Sequence, residues 1–320
     1  MRRSLRGALA AALVAAALVA PGCGGEGATR FSGDEPRVAG GGGALRYAIP
    51  EAPASLDPLA ATATTDRAVT VQVFEPLVAV LRGPYGSATA RHGLALGWRH
   101  SGDFRVWSFR LRPRVLFQDG TPFNASAVLA NAERWRASPQ GLALLPGLAA
   151  ADAPRPDLAR LIFARPLRDL PQRLQDPRLG LVSPSALGPR RGGVRRLARA
   201  ERAGSGPFEL VTRKAQDIAV ARYRSWWGSR LGLGPALDQV VFSVVPGQFE
   251  RVSQLRSGEV RVAAELNRAS AESLSNDPLL TLLGAGSGHS LGLERSVRGI
   301  DSTRPEPLSD VWLALLDQVG

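Results

Sequence analysis

The alternation of apolar and polar residues predicts several short β-strands along the chain. The clearest pattern runs over residues 106–112, where Trp107, Phe109 and Leu111 alternate with polar side chains, as in a strand with one buried face. Shorter apolar runs bounded by turn-forming or charged residues predict further strands. These lie at residues 44–49, 158–163, 208–212, 218–221, 240–245 and 260–264.

Helices are predicted where apolar residues recur at spacings of three and four. Asp66 is expected to cap one helix, and Pro76 either ends or kinks it. Its apolar face comprises Val69, Val73, Leu77 and Val80. Asn124 is expected to cap a second helix that passes through Trp135. Further helices are predicted at residues 167–174 and 249–255, and a loop at residues 139–156.

The order of these elements predicts the fold class. Asp119-Gly120 is a strong turn signal between the strand at 106–112 and the helix after Asn124. Strands and helices interleave irregularly and without a fixed repeat, which favours an α/β or mixed α+β sheet domain. The chain has 320 residues and is 44% hydrophobic, as expected for a globular protein with a sizeable core.

Residues 1–22 have the organisation of a secretory signal peptide. Arg2, Arg3 and Arg6 form a positive start, and an apolar run over residues 8–20 follows. The run is shorter than the roughly 20 apolar residues that a membrane-spanning helix needs. We therefore expect residues 1–22 to direct export.

Cys23, the only cysteine in the chain, follows this apolar run. A single cysteine forms no internal disulfide. Its position resembles that of the acylated cysteine of bacterial lipoproteins, which implies a membrane anchor at Cys23, with plain secretion as the alternative. The Gly-rich residues 23–43 are expected to form a flexible tether.

The charge of the chain is strongly positive, with a formal net charge of +12. Three of these charges lie in residues 1–22, which leaves +9 for the remainder. The densest cluster is expected on a loop and short helix. It consists of Arg190, Arg191, Arg195, Arg196, Arg199 and Arg202. No aromatic residues are interleaved with these arginines, so a solvated face is favoured over a nucleic-acid site.

Enzyme chemistry finds little support in the sequence. The three histidines, His92, His100 and His289, lack the spacing of a metal site. Ser287 and Ser290 beside His289 are interpreted as a polar loop, and no Walker motif is present. We therefore expect neither catalysis nor a metal or cofactor.

A run of short segments carries the most specific signal in the chain. The longest is DFRVWSFRLRPRVLFQDGTPFNASAV at residues 103–128, and the next is GSGPF at residues 204–208. Shorter ones are LDP at 56–58, VFEPL at 73–77, LALGW at 94–98, WWG at 226–228, and residues 237–242 and 255–260. Their order and spacing resemble the first lobe of the family-5 extracellular solute-binding proteins, which include binding proteins for peptides and nickel.

The resemblance implies a periplasmic-binding-protein-like type II lobe with a mixed sheet over residues 44–283. Ala127 and Arg261 stand where acidic residues are usual in the family. In the family a second lobe begins after a strand near residues 279–283, whereas here a Gly-rich turn at 284–288 follows. We therefore expect the second lobe to be missing, and residues 284–320 to form a shortened return segment that completes the first lobe.

The resemblance also implies a function: the substrate-binding component of an ABC importer for peptides or similar solutes, held outside the cytoplasmic membrane or in the periplasm. Its partners would be a permease, a small solute and, through Cys23, the membrane. The remaining ligand site would comprise Glu51, Ala52, Pro53, Gly204, Ser205 and Gly206. Without the second lobe this site would be reduced, and Glu51 either binds a cationic group or is a solvated loop carboxylate. The alternative function is an accessory lipoprotein that docks on a permease without carrying solute.

Overall fold

Two large β-sheets organise the part of the chain that the computed structural model describes. That part is residues 42–295 except positions 80, 83–87, 91–92, 192–193, 232–234, 236, 268, 271–273, 275–279 and 285–290. The predicted signal peptide, Cys23, nearly all of the tether and most of the return segment lie outside the described residues. His92 and His289 lie outside them as well.

The described residues form a mixture of helices and strands. The α-helices are α1 (Thr64–Val73), α2 (Ala125–Ala137), α3 (Pro139–Leu144), α4 (Leu170–Arg173) and α5 (Gln248–Ser257). The strands are β1 (Ala44–Ile49), β2 (Leu81–Arg82), β3 (Ala88–Ala90), β4 (Ala95–His100), β5 (Val106–Leu111), β6 (Leu148–Arg155), β7 (Leu158–Phe163), β8 (Leu187–Arg191), β9 (Val194–Leu197), β10 (Phe208–Arg213), β11 (Asp217–Arg222), β12 (Gln239–Val244), β13 (Val262–Leu266), β14 (Leu280–Gly284) and β15 (Leu291–Arg295). The predicted mixed α/β class is confirmed.

The larger sheet is mixed, as predicted for this lobe. Its seven strands follow the order β10-β11-β12-β1-β13-β15-β14. The central strand β1 runs parallel to β12 and β13, while the outer pairs are antiparallel. In the β1–β12 ladder Ala44 is opposite Gln239 and Ile49 is opposite Val244. Helix α5 leads from β12 to β13 and crosses over β1.

Apolar residues cover both faces of the parallel strands. On one face Ile49 and Phe242 pack with Val69 of α1 in a buried cluster. On the other face Ala48 packs with Leu255 of α5. Each large apolar side chain that is fully buried in this way contributes about 1.5–3 kcal/mol, and burial on both faces is usual for parallel strands.

Helix α1 is shorter than the sequence pattern predicted. The N-cap is Ala63, and Asp66 lies at the third position of the helix, from which its carboxylate accepts a hydrogen bond from the Ala63 amide at 3.4 Å. The helix ends at Val73. A residue that directly precedes a proline disfavours helical geometry, and this applies to the residue before Pro76. The chain is therefore extended after Val73. Leu77 is therefore not part of a helical face but is buried in the core of the smaller sheet. Val80 lies outside the described residues.

The smaller sheet has four antiparallel strands in the order β4-β5-β7-β6. The predicted alternation in β5 is confirmed, because Trp107, Phe109 and Leu111 are all buried. Helix α2 covers the sheet with a fully buried Trp135. Its predicted cap is also confirmed, since the Asn124 side chain accepts a hydrogen bond from the Ala127 amide at 3.2 Å.

The predicted turn at Asp119-Gly120 is present. Gly120 has φ +85°, a left-handed conformation that glycine adopts without strain. The Asp119 carboxylate accepts a hydrogen bond from the Thr121 amide at 2.8 Å. The predicted strands at 44–49, 158–163, 208–212, 218–221 and 240–245 and the helix at 249–255 are confirmed to within two residues. The strand predicted at 260–264 is also confirmed to within two residues, as β13.

Three local predictions are wrong. Residues 139–156 are not a loop but contain α3 and β6, because β6 pairs with β7. The helix predicted at 167–174 is reduced to α4. The arginine-rich segment is not a loop and short helix, since β8 and β9 pair as an antiparallel hairpin.

Candidate functional site

The carboxyl ends of three neighbouring parallel strands meet at one edge of the larger sheet. Strands β12, β1 and β13 end at Val244, Ile49 and Leu266. In open α/β sheets, ligands bind in the crevice outside the carboxyl ends of such strands. We call this region, with the residues that directly follow β1 and β12, the carboxyl edge.

The segment after β1 places two of the predicted site residues in solvent. Glu51 and Ala52 are exposed, whereas Pro53 is buried. The buried Asp66 carboxylate of α1 holds the end of this segment by accepting hydrogen bonds from the amides of Ala54 at 2.8 Å and Ser55 at 3.3 Å. Glu51 is therefore displayed from an anchored turn.

Glu265 supplies a second carboxylate at the carboxyl edge. It has φ +52°, and the β13–β15 register shifts between Ala263 and Leu266. Such a bulge re-aims a side chain. Burial raises the pKa of Glu265, the charge of Glu51 raises it further, and Arg251 and Arg67 partly offset both effects. The charge of Glu51 beside Glu265 contributes a negative potential that favours a cationic group.

Arg251 of α5 fixes the backbone beneath these carboxylates. Its side chain is buried, and its guanidinium donates to four carbonyl oxygens at the ends of β12 and β13. The acceptors are Val245 at 2.7 Å, Pro246 at 2.8 Å, Ala264 at 3.1 Å and Glu265 at 3.1 Å. Burial lowers the pKa of Arg251 below its usual value. The guanidinium thus ties two strand ends together and holds Glu265 in its left-handed conformation.

An exposed aromatic side chain lies on the same helix. Phe249 is in the first turn of α5 and is 84% exposed, the highest value among the large hydrophobic side chains of the described residues. It follows the exposed Pro246 at the end of β12. Phe249 thus presents an exposed apolar surface at the start of the helix that carries Arg251.

The predicted site residues Gly204, Ser205 and Gly206 lie elsewhere. All three are buried against the last turn of α1. A Cβ added to Gly204 would lie 1.8 Å from the Val73 carbonyl oxygen, and one added to Gly206 would lie 2.6 Å from the Gln72 carbonyl oxygen. The first turn of α1 holds the Glu51 segment, so about 10 Å of helix separates the two groups. The structure does not bring them together.

Glu75 forms a polar junction that the sequence did not reveal. Its carboxylate accepts hydrogen bonds from the Ser205 hydroxyl at 2.9 Å, from Trp226 Nε1 at 3.1 Å and from Trp227 Nε1 at 3.0 and 3.1 Å. The Arg112 guanidinium lies 4.0 Å above the Trp227 ring. Desolvation raises the pKa of Glu75 from 4.5 to about 7, against the opposite effects of the hydrogen bonds and of Arg112.

This junction connects the two sheets. Phe74 belongs to the core of the larger sheet, whereas Leu77, Trp226 and Trp227 belong to that of the smaller sheet. The motifs around Glu75 and the two tryptophans were visible in the sequence. Their contact was not, because 151 residues separate Glu75 from Trp226.

Other chemistry is not concentrated in the described residues. Within them, no group of three or more His, Cys, Asp or Glu side chains could hold a metal ion. His100 is exposed and stacks on Phe104 with ring centroids 4.1 Å apart. In the same part of the chain, every helix is too short or too polar to cross a membrane.

The mixed sheet and its carboxyl edge define a lobe of the kind found in periplasmic binding proteins. The model of the bacterial extracellular solute-binding proteins, family 5, matches residues 89–310, which is more than half of the chain. The chain belongs to this family.

Relatives and solved structures agree with this assignment. The probable D,D-dipeptide-binding periplasmic protein DdpA of Escherichia coli K12 is 28% identical over 218 residues, 67% of this chain and 42% of that protein. The glutathione-binding protein GsiB of Escherichia coli O1:K1 is 26% identical over 233 residues, 72% of this chain and 43% of that protein. This chain therefore spans less than half the length of these curated relatives. The structure of AgaA from A. tumefaciens R10 in complex with agropinic acid matches with a TM-score of 0.64 and 24% identity, over 75% of this chain and 48% of that one.

Proposed function

We propose that this chain is the extracytoplasmic substrate-binding component of an ABC importer for peptides or similar small solutes, and that it is not an enzyme. Support comes from the family and from relatives that bind a D,D-dipeptide and glutathione. The partners in this proposal are the importer's permease and the solute. Residues 1–22 would direct export, and acylation of Cys23 would anchor the protein to the membrane.

The carboxyl edge is the proposed solute-binding surface. The observation that carries this proposal is the pair of carboxylates at Glu51 and Glu265 at the ends of parallel strands, where the charge of Glu51 raises the pKa of Glu265. A cationic group between them would relieve their repulsion, since opposite charges favour the ionised form. Phe249 would cover an apolar part of the solute. Gly204, Ser205 and Gly206 would then support the lobe without touching the solute.

A single lobe offers one wall of a binding cleft. Affinity in binding proteins depends on enclosing the solute and removing it from water. We therefore propose a reduced site, with weak binding by the described lobe alone. A submicromolar dissociation constant for the monomer would contradict this part of the proposal.

Calorimetric titration of the purified chain tests the carboxyl edge. The probes are the tripeptide Ala-Lys-Ala and its form acetylated at both amines, which carries no positive charge. We expect Glu51→Gln and Glu265→Gln each to weaken binding of the charged probe roughly tenfold, because a hydrogen bond to a charged group contributes about 1.5–3 kcal/mol. The matched control is Glu259→Gln, which removes an exposed carboxylate before β13, at the other end of that strand. Equal binding of both probes would refute the cationic site.

The accessory role makes a different prediction. A lipoprotein that docks on a permease without carrying solute would be captured by the cognate permease equally well with and without peptide. A solute-binding component would be captured more strongly when its solute is present, because closed binding proteins are the form that transporters recognise. Capture that ignores solute, together with absent peptide binding, would favour the accessory role.

A further inference from the structure

The arginine-rich hairpin is distinct from the two large sheets. We define it as residues 187–191 and 194–202, which comprise β8, β9 and the segment that follows them. These residues contain six arginines and one glutamate. Strands β8 and β9 pair only with each other and belong to neither of the two larger sheets. Excess positive charge is thus concentrated in one small element of the fold.

The register of the hairpin places two arginine positions opposite each other. Arg190 is opposite Arg195 in the β8–β9 ladder. The Arg195 guanidinium donates to backbone carbonyl oxygens, including that of Leu187 at 3.0 Å.

Three further arginines of the hairpin face solvent. Arg196 and Arg199 are exposed and form no hydrogen bond or ion pair with any described residue. The side chain of Arg202 is 65% exposed, although its Nε donates to the Gln118 carbonyl oxygen at 2.8 Å and lies 4.0 Å from Glu209. Guanidinium groups in such positions are free to form paired hydrogen bonds with phosphate oxygens.

The composition and location of the hairpin discriminate between anionic partners. Residues 187–202 contain no aromatic side chain, so the hairpin offers no platform on which nucleic-acid bases could stack. Cys23 is the proposed membrane anchor, and fewer than 20 residues separate it from Gly42, the first described residue. Anchoring at Cys23 would hold the chain at a surface of lipid headgroups.

We propose that the arginine-rich hairpin docks on anionic phospholipid headgroups of the membrane to which the chain is tethered. This inference goes beyond solute binding and rests on the proposed export and anchoring at Cys23. Basic clusters near a membrane surface gain affinity with each arginine and lose it as salt screens the charges. Docking would fix the orientation of the lobe relative to the permease.

Vesicle binding tests the proposal with the full chain carrying Cys23→Ser, so that no acyl group contributes. The vesicles contain equal parts of phosphatidylglycerol and phosphatidylcholine, or phosphatidylcholine alone. We expect binding to the anionic vesicles that weakens at high salt. The triple variant R196Q/R199Q/R202Q should bind roughly 100-fold more weakly, about fivefold for each arginine.

A matched control removes the same charge elsewhere. The variant R99Q/R213Q/R224Q replaces three exposed arginines outside the hairpin and should change vesicle binding by no more than about threefold, because distant charges are screened. Equal losses in the two triple variants, or equal binding to both kinds of vesicle, would overturn the proposal. Hairpin-dependent binding to an oligonucleotide without binding to vesicles would overturn it in favour of nucleic acid.

Two measurements keep the result interpretable. The urea midpoint of R196Q/R199Q/R202Q should match that of the parent chain, since exposed arginines contribute little to stability. Its affinity for Ala-Lys-Ala should also be unchanged. If the triple variant loses vesicle binding but still binds the peptide, the result supports the role of the hairpin in membrane docking. If the parent chain does not bind the peptide, the proposed function is refuted, and the vesicle result is then judged separately.

Discussion

The two sheets of this protein are assembled in different ways. All strands of the smaller sheet lie between Ala95 and Phe163, so its pairings join neighbours in sequence. In the larger sheet, β1 pairs with β12 and β13, where Ala44 is opposite Gln239 and Tyr47 is opposite Val262. Long-range pairings carry a larger loop-closure cost than local ones. The smaller sheet is therefore the locally specified part of the lobe.

The proposed solute-binding surface belongs to the long-range sheet. Glu51 follows β1, while Glu265 and its support Arg251 come from β13 and α5. No short segment of the chain contains this surface. The locally specified sheet instead supplies a rigid neighbour, joined to the larger sheet at Glu75 and at the Gly204–Gly206 segment. Function at the carboxyl edge thus depends on contacts that hold the two sheets together.

The strongest test of this dependence is Gly204→Ala. The added Cβ would lie 1.8 Å from the Val73 carbonyl oxygen, which neither backbone segment can accommodate without moving. We expect a loss of about 3 kcal/mol or more in the free energy of unfolding, because overpacking a tight contact is costly. Urea denaturation gives the free energy. Amide hydrogen exchange should show the loss in α1 and the larger sheet before the smaller sheet.

Gly97→Ala is the matched control for this substitution. Gly97 lies in β4, and a Cβ there meets no atom within 4 Å. We expect a change of no more than about 0.5 kcal/mol. Equal destabilisation by the two alanines would show that the contact between Gly204 and α1 does not hold the sheets together.

Arg251→Met tests the larger sheet by itself. The substitution keeps much of the buried volume but leaves four carbonyl oxygens at the ends of β12 and β13 without their donor. We expect a loss of about 2 kcal/mol, since buried groups without hydrogen bonds are costly. The stability of Arg251→Lys should lie between those of the parent chain and Arg251→Met, because an ammonium group cannot span both strand ends.

The exposed Arg256 of the same helix provides the control, and Arg256→Met should change stability by no more than about 0.5 kcal/mol. Arg251→Met should also weaken binding of Ala-Lys-Ala, since Glu265 loses its backbone support. Full peptide affinity in this variant would show that Glu265 is positioned by other contacts.

Prediction from sequence succeeded where side-chain patterns are local. The alternation in β5 and the Asn124 cap of α2 were both correct. It failed for β6, where Ala149, Ala150 and Ala151 carry no alternating pattern and the ladder to β7 alone defines the strand. It also extended α1 past Pro76, because apolar spacing continued into a segment that enters another core.

The candidate site was predictable only in part. Glu51 follows a predicted strand, and the rule that ligands lie beyond strand ends made it a candidate. Glu265 and Arg251 were missed because a bulge in β13 and the path of α5 define their positions. Glu75 was missed for the same reason, since its partners Trp226 and Trp227 are distant in sequence. Residue types were visible, but spatial proximity was not.

The smallest expected effect concerns the titration of Glu75 between the two sheets. Its pKa is raised in the folded protein from 4.5 to about 7, so the folded state binds a proton more tightly than the unfolded state. The contribution of this group is therefore fully present below about pH 4.5 and is lost as the pH rises to about 7. Glu75→Gln keeps an acceptor for both indoles and removes the titration.

The difference in unfolding free energy between the parent chain and Glu75→Gln isolates this residue from other titrating groups. As the pH rises from 4.5 to 7, we expect the parent chain to lose roughly 1–2 kcal/mol of unfolding free energy relative to Glu75→Gln. Above that window the difference should be constant. Because Trp226 and Trp227 donate to the Glu75 carboxylate, their fluorescence should titrate over the same range in the parent chain only. A pH-independent difference would show that the pKa of Glu75 is not raised by folding, and that the junction between the local and the long-range sheet does not respond to protons.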